Sequence, residues 1–295
     1  MKYRHIEVFA SKYPMRLMCR ALQVSPQGFH QWQSRTGQRS RRAQDERTLR
    51  DRIRVVHAES RCTYGRVRVT KELRTDGVVV GENRVGRLMK SEGIRAKAAR
   101  KFKATTDSAH SRLVAPNTLD RDFTATAPNQ KWAGDITYVW TQEGWLYLAV
   151  VLDLFSRKVV GWSLQERMTT ELVCAAMQMA AKTRGCIAET LCHFDRGSQY
   201  ASDLFQALLK RYGFGCSMSR KGNCWDNAVA ESFFHSMKVE AVHGEIFRTR
   251  DEARRVIFDW LECFYNVKRR HSTLGYVSPT QFEKQELELE KRAAA

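Results

Sequence analysis

The chain has 295 residues, with 50 Lys or Arg against 32 Asp or Glu and a net charge of +18. At roughly 100–200 residues per domain, that length predicts two domains. A composition 43% hydrophobic and 28% charged excludes a disordered or fibrous chain. No run nears the ~20 apolar residues of a membrane span, and the opening MKYRHIEVFASKYP lacks a secretion signal's apolar centre. A cytoplasmic protein without a membrane partner is expected.

The charge is uneven. Residues 1–131 hold 29 Lys or Arg and 12 acids, whereas residues 132–295 hold 21 and 20. A basic front on a near-neutral body reads as a nucleic-acid-binding region attached to a second domain. Within that front, Met15, Met18 and Leu22 give helical spacing, and Ser25-Pro26 offers a cap and first position for a second helix over about 26–34, with Arg35 at its end. Residues 1–40 are thus a helix-turn-helix-like segment, whose second helix would enter a major groove. From 41 to 100 a second basic helical region is expected. An amphipathic helix over 41–59 buries Leu49, Ile53 and Val56. Two short helices, 66–74 and 82–92, are split by Asp76-Gly77 and stopped by Gly93. Arg66, Arg68, Lys71, Arg84, Arg87 and Lys90 are its candidate DNA contacts.

Periodicity then disappears, and an interdomain linker is expected over 101–124. From Trp132 strand patterns begin. WAGDITYVW alternates, WLYLAVVLDL is a continuous apolar run, and KVVGWSL follows a turn, which predicts an antiparallel meander of three strands. Thereafter helix 169–184, strand TLCHFD, helix 202–212, strand FGCSMS, and helices 227–242 and 250–265 alternate. The fold class is therefore α/β, a mixed five-stranded sheet flanked by helices, over about 125–283, followed by a polar tail over 284–295. Eight scattered cysteines with no C-x-x-C pair read as reduced thiols, not as a disulfide or zinc framework.

Three carboxylates stand out by placement. Asp135 lies mid-strand beside Trp and Ile, where a charge is costly unless compensated. Asp195 ends the fourth strand, and Glu231 lies inside the helix AVAESFFHSMK. Such groups, if gathered, suit two Mg²⁺ ions ~3.5–4 Å apart; buried ion pairs or helix caps are the alternative. Asp226 reads as a cap before the Glu231 helix, and Asp153 as a strand-end turn residue. On that helix Asn227, Glu231, His235 and Lys238 form a polar stripe opposite Ala230, Phe233, Phe234, Met237 and Ala241.

The stretches WAGDITYV, LDLFSRKVVGW, HFDRGSQY, SRKGNCWDNAVAESFFHSMKVE and FYNVKRRHSTLGYVSPTQFE resemble the insertion-sequence-three family of bacterial transposases, relatives of retroviral integrases. The basic front resembles the same family's second-reading-frame product. Between Asp195 and Glu231 stand 35 residues, the family's Asp–Asp–35–Glu spacing, and Lys238 follows Glu231 by seven. This resemblance implies a ribonuclease-H-like integrase core. Asp135, Asp195 and Glu231 would be its catalytic, metal-binding triad, holding two Mg²⁺ ions that Mn²⁺ can replace, and Lys238 a DNA contact. It also implies strand cleavage and strand transfer at element ends, in a homo-oligomer assembled on terminal repeats and target DNA in the bacterial cytoplasm. The upstream-frame product, or a fusion with it, is a further partner. Phe194 departs from the family's usual Ser, but strand alternation points it away from the face of Asp195. A junction-resolving nuclease on the same fold and a non-catalytic DNA-binding regulator are the rival readings.

Overall fold

The computed structural model describes residues 1–97, 114–185, 188–220 and 224–293, with the side chains of 39, 40 and 224 left aside. The chain divides into two compact units, Met1–Ala96 and Lys97–Ala295.

In the first unit, α1 (Lys2–Phe9) and α2 (Met15–Ala21) precede α3 (Pro26–Glu59). Ile6, Met18, Cys19 and Phe29 form a small core, with Tyr3 and Trp32 packed on it. The Ser25 hydroxyl accepts a hydrogen bond from the Gly28 amide at 3.0 Å, and Pro26 takes the first helical position, as its fixed φ favours. The sequence suggests a break between 35 and 41; instead α3 runs unbroken for 34 residues. Gly37 costs a helix only about 1 kcal/mol, too little to end one flanked on both sides by helix formers. The boundary expected at residue 40 therefore falls inside a helix. Helix α1 has no counterpart in the sequence reading.

The C-terminal half of α3 packs with α4 (Arg66–Thr75) and α5 (Glu82–Ser91), burying Leu49, Ile53, Val56, Leu73, Val85 and Leu88. Gly77 and Gly93 both adopt positive φ, at the two stops expected from sequence. Arg74 donates to the Val80 carbonyl at 2.9 Å across the α4–α5 turn. At the far end of α5, Glu92 pairs with Arg50 and Arg54 of α3.

The second unit is built on one five-stranded sheet in the order β3-β2-β1-β4-β5. Strands β1 (Lys131–Thr141), β2 (Gly144–Asp153) and β3 (Val159–Gln165) form the antiparallel meander. β4 (Leu191–Phe194) lies parallel to β1, and β5 (Gly215–Met218) parallel to β4. Helix α6 (Thr170–Arg184) covers β3 and β2. A Cβ on Gly161 would stand 2.2 Å from the Ala176 carbonyl oxygen and 2.6 Å from the Ala180 nitrogen. Glycine on the strand and alanines on the helix are what let the two backbones meet. Helix α7 (Asp203–Tyr212) is capped by Ser202 and stopped by Gly213 at φ +72°.

The expected helix 227–242 is α8 (Ala228–Met237), continued by a wider π-type turn, Lys238–Val242. The expected helix 250–265 is likewise α9 (Arg250–Phe258) followed by a π-type turn, Asp259–Tyr265. Helix α10 (Pro279–Ala293) runs through residue 283, so the polar tail is its continuation. Of the linker expected over 101–124, residues 101–113 lie outside the described residues, and the rest is corrected: Val114 and Ala115 pack on the core and Leu119 is buried with Ala133 and Leu154, so residues 114–124 belong to the second unit. No helix among the described residues is long and apolar enough to cross a membrane.

Candidate active site

Alternation along β1 sets the first candidate in place. Trp132 and Ile136 belong to the core under α6 and α7, whereas Ala133 belongs to a separate cluster with Leu119 and Leu154. Asp135 therefore shares the second face. Phe194, at the end of β4, is 1% exposed and stacks on Tyr200 at 4.5 Å between centroids. A Cβ on Gly134 would stand 2.6 Å from the Phe194 ring, so the bulky ring and the glycine opposite it fit together. Asp195, one residue on, leaves the sheet on the other side, into the loop 195–202.

There Asp135, Asp195, Glu231, His235 and Lys238 line one open cleft of about 920 Å³. The Asp135 carboxylate accepts from the Ile136 amide at 2.8 Å, and that of Asp195 from the Gly197 amide at 2.9 Å. Glu231 stands in the first turn of α8, where the helix dipole favours an anion. Burial first, then the charges of Asp195 and Glu231, push the Asp135 carboxyl well above its ordinary range, while Lys238 acts the other way. Burial raises Glu231 as well. It lowers the Lys238 ammonium, which Asp135 supports in its charged form. Lys238 lies 5.1 Å from the Tyr138 ring centroid and is 8% exposed, so it belongs to the floor of the cleft, not to a solvated helix face.

Among the described residues no three Asp, Glu, His or Cys side chains are gathered closely enough to enclose a metal ion. The chemistry of the donor set nevertheless fits one. Hard carboxylate oxygens whose charges oppose each other at one cleft are what Mg²⁺ or Mn²⁺ takes, and a cation would relieve the strain on Asp135.

The reading of Asp226 as a cap is corrected. The residue before α8 is Asn227, whose side chain makes no cap bond. Asp226 is fully buried. Its carboxylate accepts from Arg220 at 2.9 Å, Arg121 at 2.9 Å and Asn117 at 3.0 Å. Asp226 thus ties residues 117–121 and the end of β5 to the start of the helix that carries Glu231. Only Arg220 is near in sequence; the partners at 117 and 121 give no local signal. Asp153 does behave as a turn residue, accepting from Phe155 two residues on at 3.0 Å, and also meets Arg184.

Hydrogen bonds from Arg220, then from Arg121, hold the Asp226 carboxyl well below the usual carboxylate range despite its burial. A carboxyl depressed on folding stabilises above its unfolded pKa of about 3.9, and that contribution fades as pH falls further. Asp226→Asn should accordingly cost about 2–3 kcal/mol at neutral pH, the value of hydrogen bonds to a charged group. The cost should shrink below pH 4. Thermal unfolding of both proteins from pH 7 to pH 3 measures it, and a constant difference across that range would contradict the assignment.

Of the eight DNA contacts expected from sequence, Lys238 lies in the cleft of the second unit and the other seven lie in the first unit. Arg35 is exposed on α3, and Arg84, Arg87 and Lys90 are exposed on α5. On α4, Arg66 is exposed, Lys71 is half-buried, and Arg68 is half-buried with its guanidinium 5.6 Å from the Tyr64 ring. The sequence reading passed over Tyr138, Trp145 and Trp225, which also line the cleft of the second unit.

Two integrase core domain models match this chain, over residues 125–224 and 231–287, and an HTH-like domain model matches residues 43–102. Over 287 residues it is 46% identical to the transposase InsF for insertion sequence IS3A of Escherichia coli K12, covering 97% of this chain and 100% of that one. It is 44% identical to an insertion element IS600 31 kDa protein of Shigella sonnei, covering 90% and 97%. Among solved structures, a simian T-cell lymphotropic virus intasome matches 79% of this chain and 74% of that one, at 14% identity and a TM-score of 0.46. The HTLV-2 integrase catalytic core domain in complex with magnesium matches 54% and 99%, at 17% and 0.38.

Proposed function

Because the chain belongs to the IS3 family of transposases, we propose that Asp135, Asp195 and Glu231 are the residues with which it cuts and joins DNA at the ends of a bacterial insertion sequence. Transposition and DNA integration are the activities of such an integrase-core protein, and polynucleotidyl transfer is its reaction class. The observation that supports the assignment is that these three carboxylates, from β1, the end of β4 and α8, line one open cleft with Lys238.

The three carboxylates would hold two Mg²⁺ ions, with Mn²⁺ as a substitute. When bound, these supply activation of an attacking water or 3′-hydroxyl and neutralise charge on the leaving oxygen. The chain's own groups do the rest. The amide hydrogen bonds from Ile136 and Gly197 orient Asp135 and Asp195. Lys238, a point charge with no lone pair to offer a metal, grips a phosphate of the processed strand. Arg35, Arg66, Arg68, Lys71, Arg84, Arg87 and Lys90 hold the element end as duplex. In this reading the active form is a homo-oligomer on terminal repeats and target DNA in the bacterial cytoplasm, aided by the upstream-frame product or fused to it. The unit Met1–Ala96 serves to bind DNA, and the sheet-bearing unit carries the chemistry.

Incubation with labelled element ends, with and without the upstream-frame product, tests the function. Joining of a 3′-hydroxyl to target DNA is expected. Hydrolysis without joining would favour a junction-resolving nuclease, and binding without cleavage a regulator. Lys238→Ala should weaken engagement of the processed end by ~1–3 kcal/mol and Lys238→Glu by more, since it sets a fourth acid beside the strand. Wild-type strand transfer by Lys238→Glu at moderate salt would remove the residue from the site. For the first unit, alanine at Arg84, Arg87 or Lys90 should each lower the log–log salt slope of DNA binding by about 0.9, one phosphate's share. An unchanged slope in all three would contradict the expected contacts.

A further inference from the structure

Trp132 and Trp260 are fully buried, yet Trp225 is 69% exposed and lines the cleft shared by Asp135, Asp195 and Glu231. Its position is fixed from the next residue on. Asp226 is pinned inside the unit by Arg121 and Arg220, which leaves the indole turned outward, six residues ahead of Glu231. Tyr138 and Trp145, 4.9 Å apart edge to face, add further aromatic surface to the same cleft. This is an unusual lining for a site that must receive a polyanion. The three carboxylates are there to hold cations, and those cations and Lys238 are what meet the phosphate. A large apolar face gains nothing from a phosphate and much from a nucleobase, whose flat π-surface stacks on indole irrespective of sequence.

Resting on the transposase reading, we propose that Trp225 is a stacking post for one unpaired nucleobase beside the phosphate to be cut. Base pairs inside a duplex are already stacked above and below, so the indole can take a base only from a nucleotide released from its partner. The stack therefore holds the terminal pair open, and the freed strand reaches the carboxylates. Trp225 touches the substrate without taking part in the chemistry.

The test uses the full chain, Trp225→Ala and Trp225→Phe, with element ends that are fully paired, mismatched at the terminal pair, or abasic at the terminal nucleotide opposite a normal base. On paired ends Trp225→Ala should lose about 10-fold or more in cleavage, the value of one base–aromatic stack, and the mismatch should restore most of it. Trp225→Phe should stay within a few-fold of wild type on every end. In binding measured with EDTA present, the wild type should prefer the mismatched end to the abasic one by a similar factor, and Trp225→Ala should prefer neither. Equal loss by Trp225→Ala on paired and mismatched ends, or wild-type binding indifferent to the abasic site, would overturn the proposal. A wild type that cleaves no end at all would count against the proposed function instead, and the binding arm would still decide the role of Trp225.

Discussion

Asp135→Asn, Asp195→Asn and Glu231→Gln should each bring strand cleavage and strand transfer to background while leaving DNA binding intact. Loss of one neutral transition-state donor already costs ~10²–10³-fold in typical enzymes. Each of these carboxylates carries a charge that a divalent cation needs, so the loss should exceed that range. The amides keep the shape and remove one negative charge beside a polyanion, so affinity for DNA should hold or rise slightly. A second readout is independent of turnover. Mg²⁺ binds the folded site and not the unfolded chain, so it should raise the unfolding temperature of the wild type, and each amide variant should lose most of that rise. The Asp135 variant has a further signature. Its carboxyl is pushed up by burial and by Asp195, so the unfolded state ionises more readily there, and metal-free wild type carries a penalty that grows as pH rises past the ordinary carboxylate range. Asp135→Asn should therefore be more stable than wild type without metal at neutral pH and less stable with saturating Mg²⁺. Cleavage surviving in any one of the three variants would show that another residue completes the site.

What could be read from the sequence depends on the range of the interaction that sets each feature. The strands of the second unit announced themselves because alternation is local. The meander of β1, β2 and β3 followed from two short turns, and the face of Asp135 from counting by twos. The 35-residue gap before Glu231 pointed to the candidate site through the resemblance, since a spacing is a property of the linear chain. Phe194 was legible for the same reason, although its fit against Gly134 was not. The failures share the opposite character. Asp226 resembles a helix cap in any ten-residue window, and two of the partners that make it a buried anchor, Asn117 and Arg121, lie more than a hundred residues upstream. The segment 35–41 looks like a break because Gly and Ser weaken a helix, yet the residues on both sides outvote them. Trp225 reads as one more aromatic residue until the pinning of Asp226 shows which way it must turn. The π-type turns after α8 and α9 leave no compositional trace, because a single extra residue per turn disturbs the apolar stripe too little.

The π-type turn that begins at Lys238 holds the last prediction. Glu240 and Arg269 are 6% and 4% exposed. Arg269 donates to both Glu240 oxygens at 2.7–3.0 Å, and the Trp260 indole N–H adds a bond at 3.2 Å. Arg269 also lies 5.8 Å from the Tyr265 ring centroid. One carboxylate thus locks the segment 259–271 against the turn that carries Lys238. Removing it strands a guanidinium in the interior, a change that costs ~3–5 kcal/mol in comparable buried pairs. Glu240→Ala should lower the unfolding transition of the second unit by roughly 10 °C, at ~2–4 °C per kcal/mol for a body of this size. Glu240→Gln should lose less, since its amide oxygen still accepts from Arg269. The double variant Glu240→Leu with Arg269→Met should recover much of the loss, because apolar replacement of both partners removes the stranded charge along with the attraction. A shift under about 2 °C in Glu240→Ala would mean that Arg269 finds water or another acceptor. A double variant no better than Glu240→Ala would mean that the pair stabilises by shape and not by charge. Metal binding separates the site from its support: Glu240→Gln should keep the Mg²⁺-dependent rise in unfolding temperature that Glu231→Gln loses.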